Sequence, residues 1–168
     1  MIKLVGALMA ALTIALIGID KTHKLALKVT HLEKLCSMLK YMADLIKNNL
    51  PTLDKILKEI GDNQYYKVID FIPNAEKLIR SGESFKESWK KSILESEMQI
   101  DEADRNLIIS LGEILGRFDG ESQEKELLNV ARLLNIRLDE AREKKRNFSP
   151  IYKTIGICGS LAVFILLI

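Results

Sequence analysis

The sequence predicts an all-α protein, an antiparallel bundle of about six helices flanked by transmembrane helices at its N- and C-terminal ends. Apolar residues of the central region recur at three- and four-residue spacing, which is typical of amphipathic helices rather than strands. All 23 acidic residues lie between Asp20 and Glu143, whereas segments 4–19 and 154–168 carry no charge. Helix-breaking prolines and glycines interrupt the central pattern too often for one long coiled coil.

The two uncharged segments are predicted to cross a membrane. Their 16 and 15 residues span roughly 22–24 Å as helices, less than the usual hydrocarbon thickness of about 30 Å. Lys3 and Lys153 can extend these spans, because a lysine reaches the headgroups with its ammonium group while its stem stays in apolar surroundings. We therefore expect a transmembrane helix over 1–20, a cytoplasmic bundle over 21–150 and a second transmembrane helix over 151–168.

The basic residues predict how the chain is oriented. They cluster on the inner flank of each apolar segment, namely Lys21, Lys24 and Lys28 after the first and Arg142, Lys144, Lys145, Arg146 and Lys153 before the second. Under the positive-inside rule, the central region is cytoplasmic and both termini lie outside in a two-pass cell-membrane protein. A secretory signal peptide is the alternative for the first segment, but the segment lacks a strongly basic leader and a clear cleavage pattern near Gly18.

The first three helices follow from the spacing of the apolar residues and from the positions of the breakers. The first helix continues from the apolar end to Asn49, because Pro51 then forces a break. A short helix runs from Leu53 to Asp62, and a third extends from about Asn63 to Arg80, where Pro73 kinks or splits it. The apolar stripe of the first helix comprises Leu25, Val29, Leu32, Leu35, Leu39, Met42 and Ile46.

Capping signals open the last three helices. Ser84 and Glu87 have the spacing of a capping box before the fourth helix, in which Trp89 is a core anchor. Asp101 caps the fifth helix, and the sixth starts at Asp119 and runs to Pro150. The apolar face of the sixth helix comprises Leu127, Val130, Ala131, Leu134, Leu138 and Ala141.

No residue pattern indicates an enzyme, a cofactor or a metal. Phosphate-binding loops, dinucleotide-binding glycines and nucleophile motifs are absent from the sequence. His23 and His31, the only histidines, have no acidic or cysteine cluster around them and are expected on the surface near lipid headgroups. Cys36 and Cys158 are badly placed to form a disulfide. The basic run Lys144–Arg146 favours contact with membrane lipid over nucleic acid, because an apolar segment follows it.

The most distinctive stretch is the junction between the fifth and sixth helices. Gly112 and Gly116 stack on one helical face, where each glycine costs about 1 kcal/mol relative to alanine. One interpretation is that the missing side chains permit a close backbone approach. The other is that Gly116 merely ends the helix and Gly112 is incidental.

Residues 111–123 fill the pattern LGxxLGxxDxxxQ with Leu111, Gly112, Leu115, Gly116, Asp119 and Gln123. With the long helix and the apolar end that follow, this stretch resembles the stage III sporulation protein AB family. The first two thirds of the chain are similar in layout, in the apolar N-terminal segment, the helix restart at Leu53 and Trp89 before an acidic turn. Phe118 departs from the pattern, since a small residue is expected there. We interpret Gly112, Gly116, Asp119 and Gln123 as a structural or interaction motif.

The resemblance implies a helical domain similar to the F-domain platform proteins of type II secretion and type IV pilus systems. It also implies a non-enzymatic scaffold in a secretion-like channel complex for endospore formation, in the mother-cell membrane around the forespore. Its partners would be a secretion-type ATPase and sibling membrane proteins, and a homodimer is possible. The alternative hypothesis is a signal- or ligand-sensing membrane bundle, in which the two glycines shape a pocket.

Overall fold

The computed structural model describes residues 2–49, 52–116 and 119–167, and in these ranges it contains six α-helices, one short 3₁₀ helix and no strand. The predicted all-α class is therefore confirmed. The helices are α1 (Ile2–Asn49), α2 (Leu53–Asp62), α3 (Phe71–Arg80), α4 (Phe85–Glu95), α5 (Glu102–Ile114) and α6 (Gly120–Leu167), with the 3₁₀ helix at Gln64–Tyr66.

The chain divides into two compact units. Unit 1 comprises Met1–Val29 and Asp139–Ile168, and unit 2 comprises Thr30–Leu138. Both α1 and α6 contribute to both units, because each is a 48-residue helix. Unit 2 therefore begins at Thr30 and ends at Leu138, whereas the charge pattern predicts a bundle over 21–150.

The described residues do not support the two predicted transmembrane helices. Within them, no helix combines the length and the apolar character that a membrane crossing needs.

The predicted third helix is wrong in its first half. The structure has the 3₁₀ helix at Gln64–Tyr66 and then a turn before α3 begins at Phe71. The Asn63 side chain accepts a hydrogen bond from the Tyr65 backbone N–H at 2.9 Å, so it caps a local turn that competes with a continuing helix. Pro73 lies in the first turn of α3, where a missing N–H removes no intrahelical hydrogen bond.

The predicted end of the sixth helix at Pro150 is also wrong. Pro150 lies inside α6, which continues to Leu167. A proline removes one backbone hydrogen bond from a helix interior, and here the helix continues past it. The start of α6, one residue after Asp119, agrees with the predicted cap.

The core of unit 2 forms around the apolar faces predicted for α1 and α6. Trp89 and Phe71 are fully buried and supply the largest side chains of this core. Exclusion of these apolar surfaces from water is the main force that holds the helices together. Other fully buried members are Leu32, Leu35, Met38, Leu39, Met42, Ile56, Leu57, Ile108, Leu111, Leu127, Ala131 and Leu134.

In unit 1, the backbones of α1 and α6 meet at a pair of glycines. A Cβ atom built on Gly18 would lie 2.7 Å from the carbonyl oxygen of Tyr152 and 3.1 Å from Cα of Gly156. Both glycines are buried. Glycine at this crossing lets the two helix backbones approach more closely than any side chain would allow.

Candidate interaction motif at the junction of α5 and α6

Gly112 lies on the face of α5 that packs against α4. It is buried, and a Cβ atom at this position would lie 3.0 Å from Cδ1 of Trp89 and 3.6 Å from the carbonyl oxygen of Lys86. Carbon atoms in favourable contact are about 3.5–4.0 Å apart. The absence of a side chain at Gly112 thus lets the indole ring lie directly on the α5 backbone.

The indole ring of Trp89 is held on several sides. Its Nε1–H donates a hydrogen bond to the carbonyl oxygen of Ile108 at 2.8 Å. Phe71 packs against it edge-on with ring centroids 5.1 Å apart, and Phe85 stacks on it at 5.5 Å. These contacts join α3, α4 and α5 around one side chain, as the expectation of a core anchor requires.

Gly116 forms the turn that ends α5. Its φ of 85° lies in the left-handed region, and Leu115 before it is extended with φ −63° and ψ 124°. Such angles suit the two central residues of a type II turn, where glycine is favoured at the second position. A Cβ atom at Gly116 would also approach Cδ1 of Leu53 to 3.1 Å. Gly112 and Gly116 therefore serve two different geometric purposes, a close approach and a turn.

Asp119 caps the N-terminus of α6. Its Oδ1 accepts a hydrogen bond from the Ser122 backbone N–H at 3.0 Å, and its Oδ2 accepts one from the Ser122 hydroxyl at 2.9 Å. These bonds from Ser122, the backbone one first, lower the pKa of Asp119 below its usual value of 3.8, so the cap is ionised at neutral pH. A carboxylate here is also favoured by the helix dipole.

Gln123 joins the start of α6 to the end of α5. The Gly116 backbone N–H donates a hydrogen bond to its side-chain Oε1 at 3.3 Å, and the Gln123 backbone N–H donates to the carbonyl oxygen of Asp119 at 3.1 Å. Gly116, Asp119 and Gln123 thus belong to one hydrogen-bonded junction, whereas Gly112 lies one turn away against α4. Phe118, the position that departs from the family pattern, lies outside the described residues.

The junction has the chemistry of a structural connection. The Asp119 carboxylate bonds to Ser122, and the Gln123 amide oxygen bonds to the Gly116 backbone, so these polar groups have partners inside the junction. The Ser122 hydroxyl lies beside the Asp119 carboxylate, but the lowered pKa of Asp119 makes this carboxylate a weak base, and the pair serves as a helix cap. Across the described ranges as a whole, no group of three histidine, cysteine or acidic residues is arranged to hold a metal ion.

His31 is buried, which corrects the expectation of a surface position. Its Nδ1 accepts a hydrogen bond from the Gln99 backbone N–H at 2.8 Å, so it fastens the loop after α4 to α1. Burial lowers the pKa of His31 below 6.5, although the charge of Asp70 acts in the opposite direction. A signal for this burial was available in the sequence, because His31 stands between Val29 and Leu32 of the apolar stripe. His23 is exposed, as expected.

Asp104 is another buried polar residue, although its place in an acidic stretch of the sequence favours exposure to solvent. It is 1% exposed, and its Oδ1 lies 3.8 Å from Nε of Arg137 on α6. Its Oδ2 accepts a hydrogen bond from the Asp101 backbone N–H at the start of α5. The predicted capping residue Asp101 therefore acts together with an acidic residue three positions later, which is the spacing of a capping box.

Comparison with known proteins identifies one family. No curated protein and no solved structure matches the chain. The sequence pattern of one family, described as stage III sporulation protein AB, matches residues 3–168. The match covers the helix junction and both long helices, so the chain belongs to the stage III sporulation protein AB family.

Proposed function

We propose that this protein is a non-enzymatic membrane platform of a secretion-like channel complex required for endospore formation. Its helical unit 2 would link sibling membrane proteins to a cytoplasmic, secretion-type ATPase. Membership of a stage III sporulation family supports the role in sporulation. The link to a motor rests on the resemblance to F-domain platform proteins.

The observation that supports the proposal best is how apolar and charged residues are distributed along α1 and α6. Each of these 48-residue helices has an uncharged apolar end in unit 1 and an amphipathic, charged part in unit 2. Several large apolar side chains of the uncharged ends are exposed: Leu12, Leu16, Ile17, Ile155, Leu161 and Ile165. Such a concentration of exposed apolar surface is typical of a segment that contacts lipid or another protein. Although no described helix meets the requirements of a membrane crossing, this exposed surface supports our proposal that both ends contact a membrane, which by resemblance is the mother-cell membrane.

The surroundings of the two glycines disfavour the alternative of a ligand-sensing bundle. A sensing pocket at this junction would need space beside Gly112 or Gly116. Trp89 occupies the space next to Gly112, and Leu53 occupies the space next to Gly116. We therefore assign the motif to the packing of unit 2, which shapes the surface that partners would contact.

Cysteine labelling in sporulating cells tests the proposed membrane topology. Cys36 is buried and unsuited to labelling, so the probe is placed at the exposed Asn74 of α3 as Asn74→Cys, with both native cysteines replaced by serine. A thiol reagent that cannot cross membranes should label Asn74→Cys in lysed mother cells and not in cells with an intact membrane. Labelling of intact cells would reverse the topology, and recovery of the chain free of membranes would contradict the membrane placement.

Deletion of the gene separates a scaffold from an enzyme or a sensor. A strain that lacks the scaffold should stop at a defined stage of sporulation, and a supplied metabolite should not restore progress. Restoration by a small molecule would favour the alternatives.

A further inference from the structure

Unit 1 contains a groove between α1 and α6 next to the uncharged ends. The groove has a volume of about 670 Å³, and all the residues that line it belong to unit 1. The wall from α1 consists of Thr22, Ala26 and Val29, and the opposite wall is the segment of α6 that ends at Pro150. The volume is large enough for a headgroup-sized ligand.

The wall from α6 is strongly basic. Arg142, Lys145 and Arg146 line the groove, and its eight lining residues include no acidic one. Arg142 lies 3.4 Å from Asp139, but both side chains are about half exposed, and such surface pairs contribute little and exchange readily. The groove therefore carries a concentrated positive charge that favours an anionic ligand.

Ser149 adds a hydrogen-bond donor to this wall. Its hydroxyl oxygen is buried and makes no hydrogen bond within the protein. A buried hydroxyl without a partner is unfavourable, and a phosphate oxygen is a strong acceptor that would satisfy it. By contrast, the Thr22 hydroxyl across the groove already donates to the carbonyl oxygen of Gly18 at 3.1 Å.

The other lining residues and the position of the groove point to an amphiphilic ligand. Ala26, Val29 and Pro150 contribute apolar surface beside the basic side chains. Thr22 comes three residues after the uncharged segment 4–19, and Pro150 comes four residues before segment 154–168. The groove thus begins within about one helical turn of both apolar ends. A basic pocket between helices at this depth matches the chemistry of an acidic lipid headgroup.

We propose that this groove binds the headgroup of an anionic phospholipid. Lys145 and Arg146 contact the phosphate, the Ser149 hydroxyl donates a hydrogen bond to it, and Arg142 turns from Asp139 toward the same charge. The inference rests on the proposed membrane placement, because only an inserted unit 1 would present the groove to headgroups.

The test measures binding of a fluorescent phosphatidylglycerol to the purified full chain in neutral detergent. Lys145→Gln should weaken binding about five-fold or more, as expected for one basic contact near lipid charge. The matched control is Lys144→Gln, which removes the same charge from the neighbouring residue of α6 that does not line the groove. Ser149→Ala should weaken binding several-fold with no change of net charge, and all three variants should keep the helical content of the parent chain.

Equal losses for Lys145→Gln and Lys144→Gln, with no effect of Ser149→Ala, would show diffuse attraction to basic residues and overturn the groove. Competition identifies the source of the anion. Phosphatidylglycerol should displace the probe, whereas phosphatidylcholine and inorganic phosphate should not. Displacement by inorganic phosphate at the same concentrations would overturn the lipid assignment.

Vesicle flotation separates this inference from the proposed function. If the chain floats with phosphatidylcholine vesicles but the variants bind phosphatidylglycerol like the parent, the groove assignment fails and the membrane placement stands. If the chain floats with no vesicle, whether neutral or containing phosphatidylglycerol, both proposals fail.

Discussion

Replacing Gly112 with alanine is expected to destabilise unit 2, although alanine is the better helix former. The added Cβ atom would lie 3.0 Å from Cδ1 of Trp89, about 0.5–1.0 Å closer than a favourable carbon contact. The indole cannot easily retreat, because it is fully buried, hydrogen-bonded to Ile108 and packed between Phe71 and Phe85.

The size of this effect follows from two opposing terms. Replacing glycine by alanine within a helix raises the free energy of unfolding by about 1 kcal/mol. Inserting an atom into a closely packed core costs about 1–3 kcal/mol. The expected net result for Gly112→Ala is a loss of about 1 kcal/mol, or about 2–4 °C in Tm for a chain of this size. Gly112→Leu inserts more atoms at the same place and should lower Tm further.

The assay is thermal unfolding of the full chain in neutral detergent, followed by circular dichroism and by fluorescence of Trp89, the single tryptophan. Gly61→Ala is the matched control, because this exposed glycine of α2 would place a Cβ atom 3.7 Å from Ile72, an ordinary contact. It should leave Tm unchanged or raise it. In a Trp89→Ala background, which removes both Cγ and Cδ1 of the ring, Gly112→Ala should cause no further loss of Tm, as followed by circular dichroism. A Gly112→Ala protein as stable as Gly61→Ala would refute close packing at this position.

Three further changes test other contacts. Gly116→Ala should lower Tm more than Gly82→Ala, because both glycines have a positive φ but only Gly116 would also bring a Cβ atom to 3.1 Å from a neighbouring side chain. Acidification should destabilise the parent chain more than it destabilises the His31→Asn protein. The folded pKa of His31 lies below 6.5, because the buried imidazole resists protonation. The stabilising contribution of the neutral imidazole is therefore complete above about pH 6.5 and is lost as the pH falls toward the folded pKa. Gly18→Ala should speed hydrogen exchange in both helices of unit 1, because its Cβ atom would meet backbone at 2.7 Å, whereas Gly6→Ala, with open space around it, should not.

Each of these three predictions has a result that contradicts it. Equal Tm losses for the two positive-φ glycines would show that the neighbouring leucine moves aside freely. Identical dependence of Tm on pH from 7.5 to 5 in the parent and in His31→Asn would mean that the buried imidazole does not titrate there. Unchanged exchange in the Gly18→Ala protein would argue against the close crossing in unit 1.

The sequence predicted the elements that depend on local signals. The apolar stripes of α1 and α6, the caps at Ser84 and Asp101 and the core role of Trp89 all follow from periodicity and short-range hydrogen bonding, and the structure contains them. The third helix was predicted wrongly because the competing Asn63 turn is a local alternative that periodicity does not register. The predicted end of α6 at Pro150 was wrong because proline disfavours a helix interior but does not exclude it.

Long-range contacts explain the features that the sequence alone could not predict. Spacing alone could not separate the purposes of Gly112 and Gly116, since one depends on Trp89 across the helix interface and the other on a positive φ. The burial of His31 depends on the loop that follows α4, and that of Asp104 on its pairing with Arg137. These contacts join residues distant in sequence, so only the folded chain reveals them.

Capture of the protein from sporulating cells tests the platform role most directly. The full chain is tagged, crosslinked in living cells and isolated from the membrane fraction, with a strain that expresses an unrelated two-pass protein as the control. The account predicts that a secretion-type ATPase and sibling membrane proteins are recovered with this chain and not with the control. Recovery of the chain from membranes at the sporulation stage without either class of partner would contradict it.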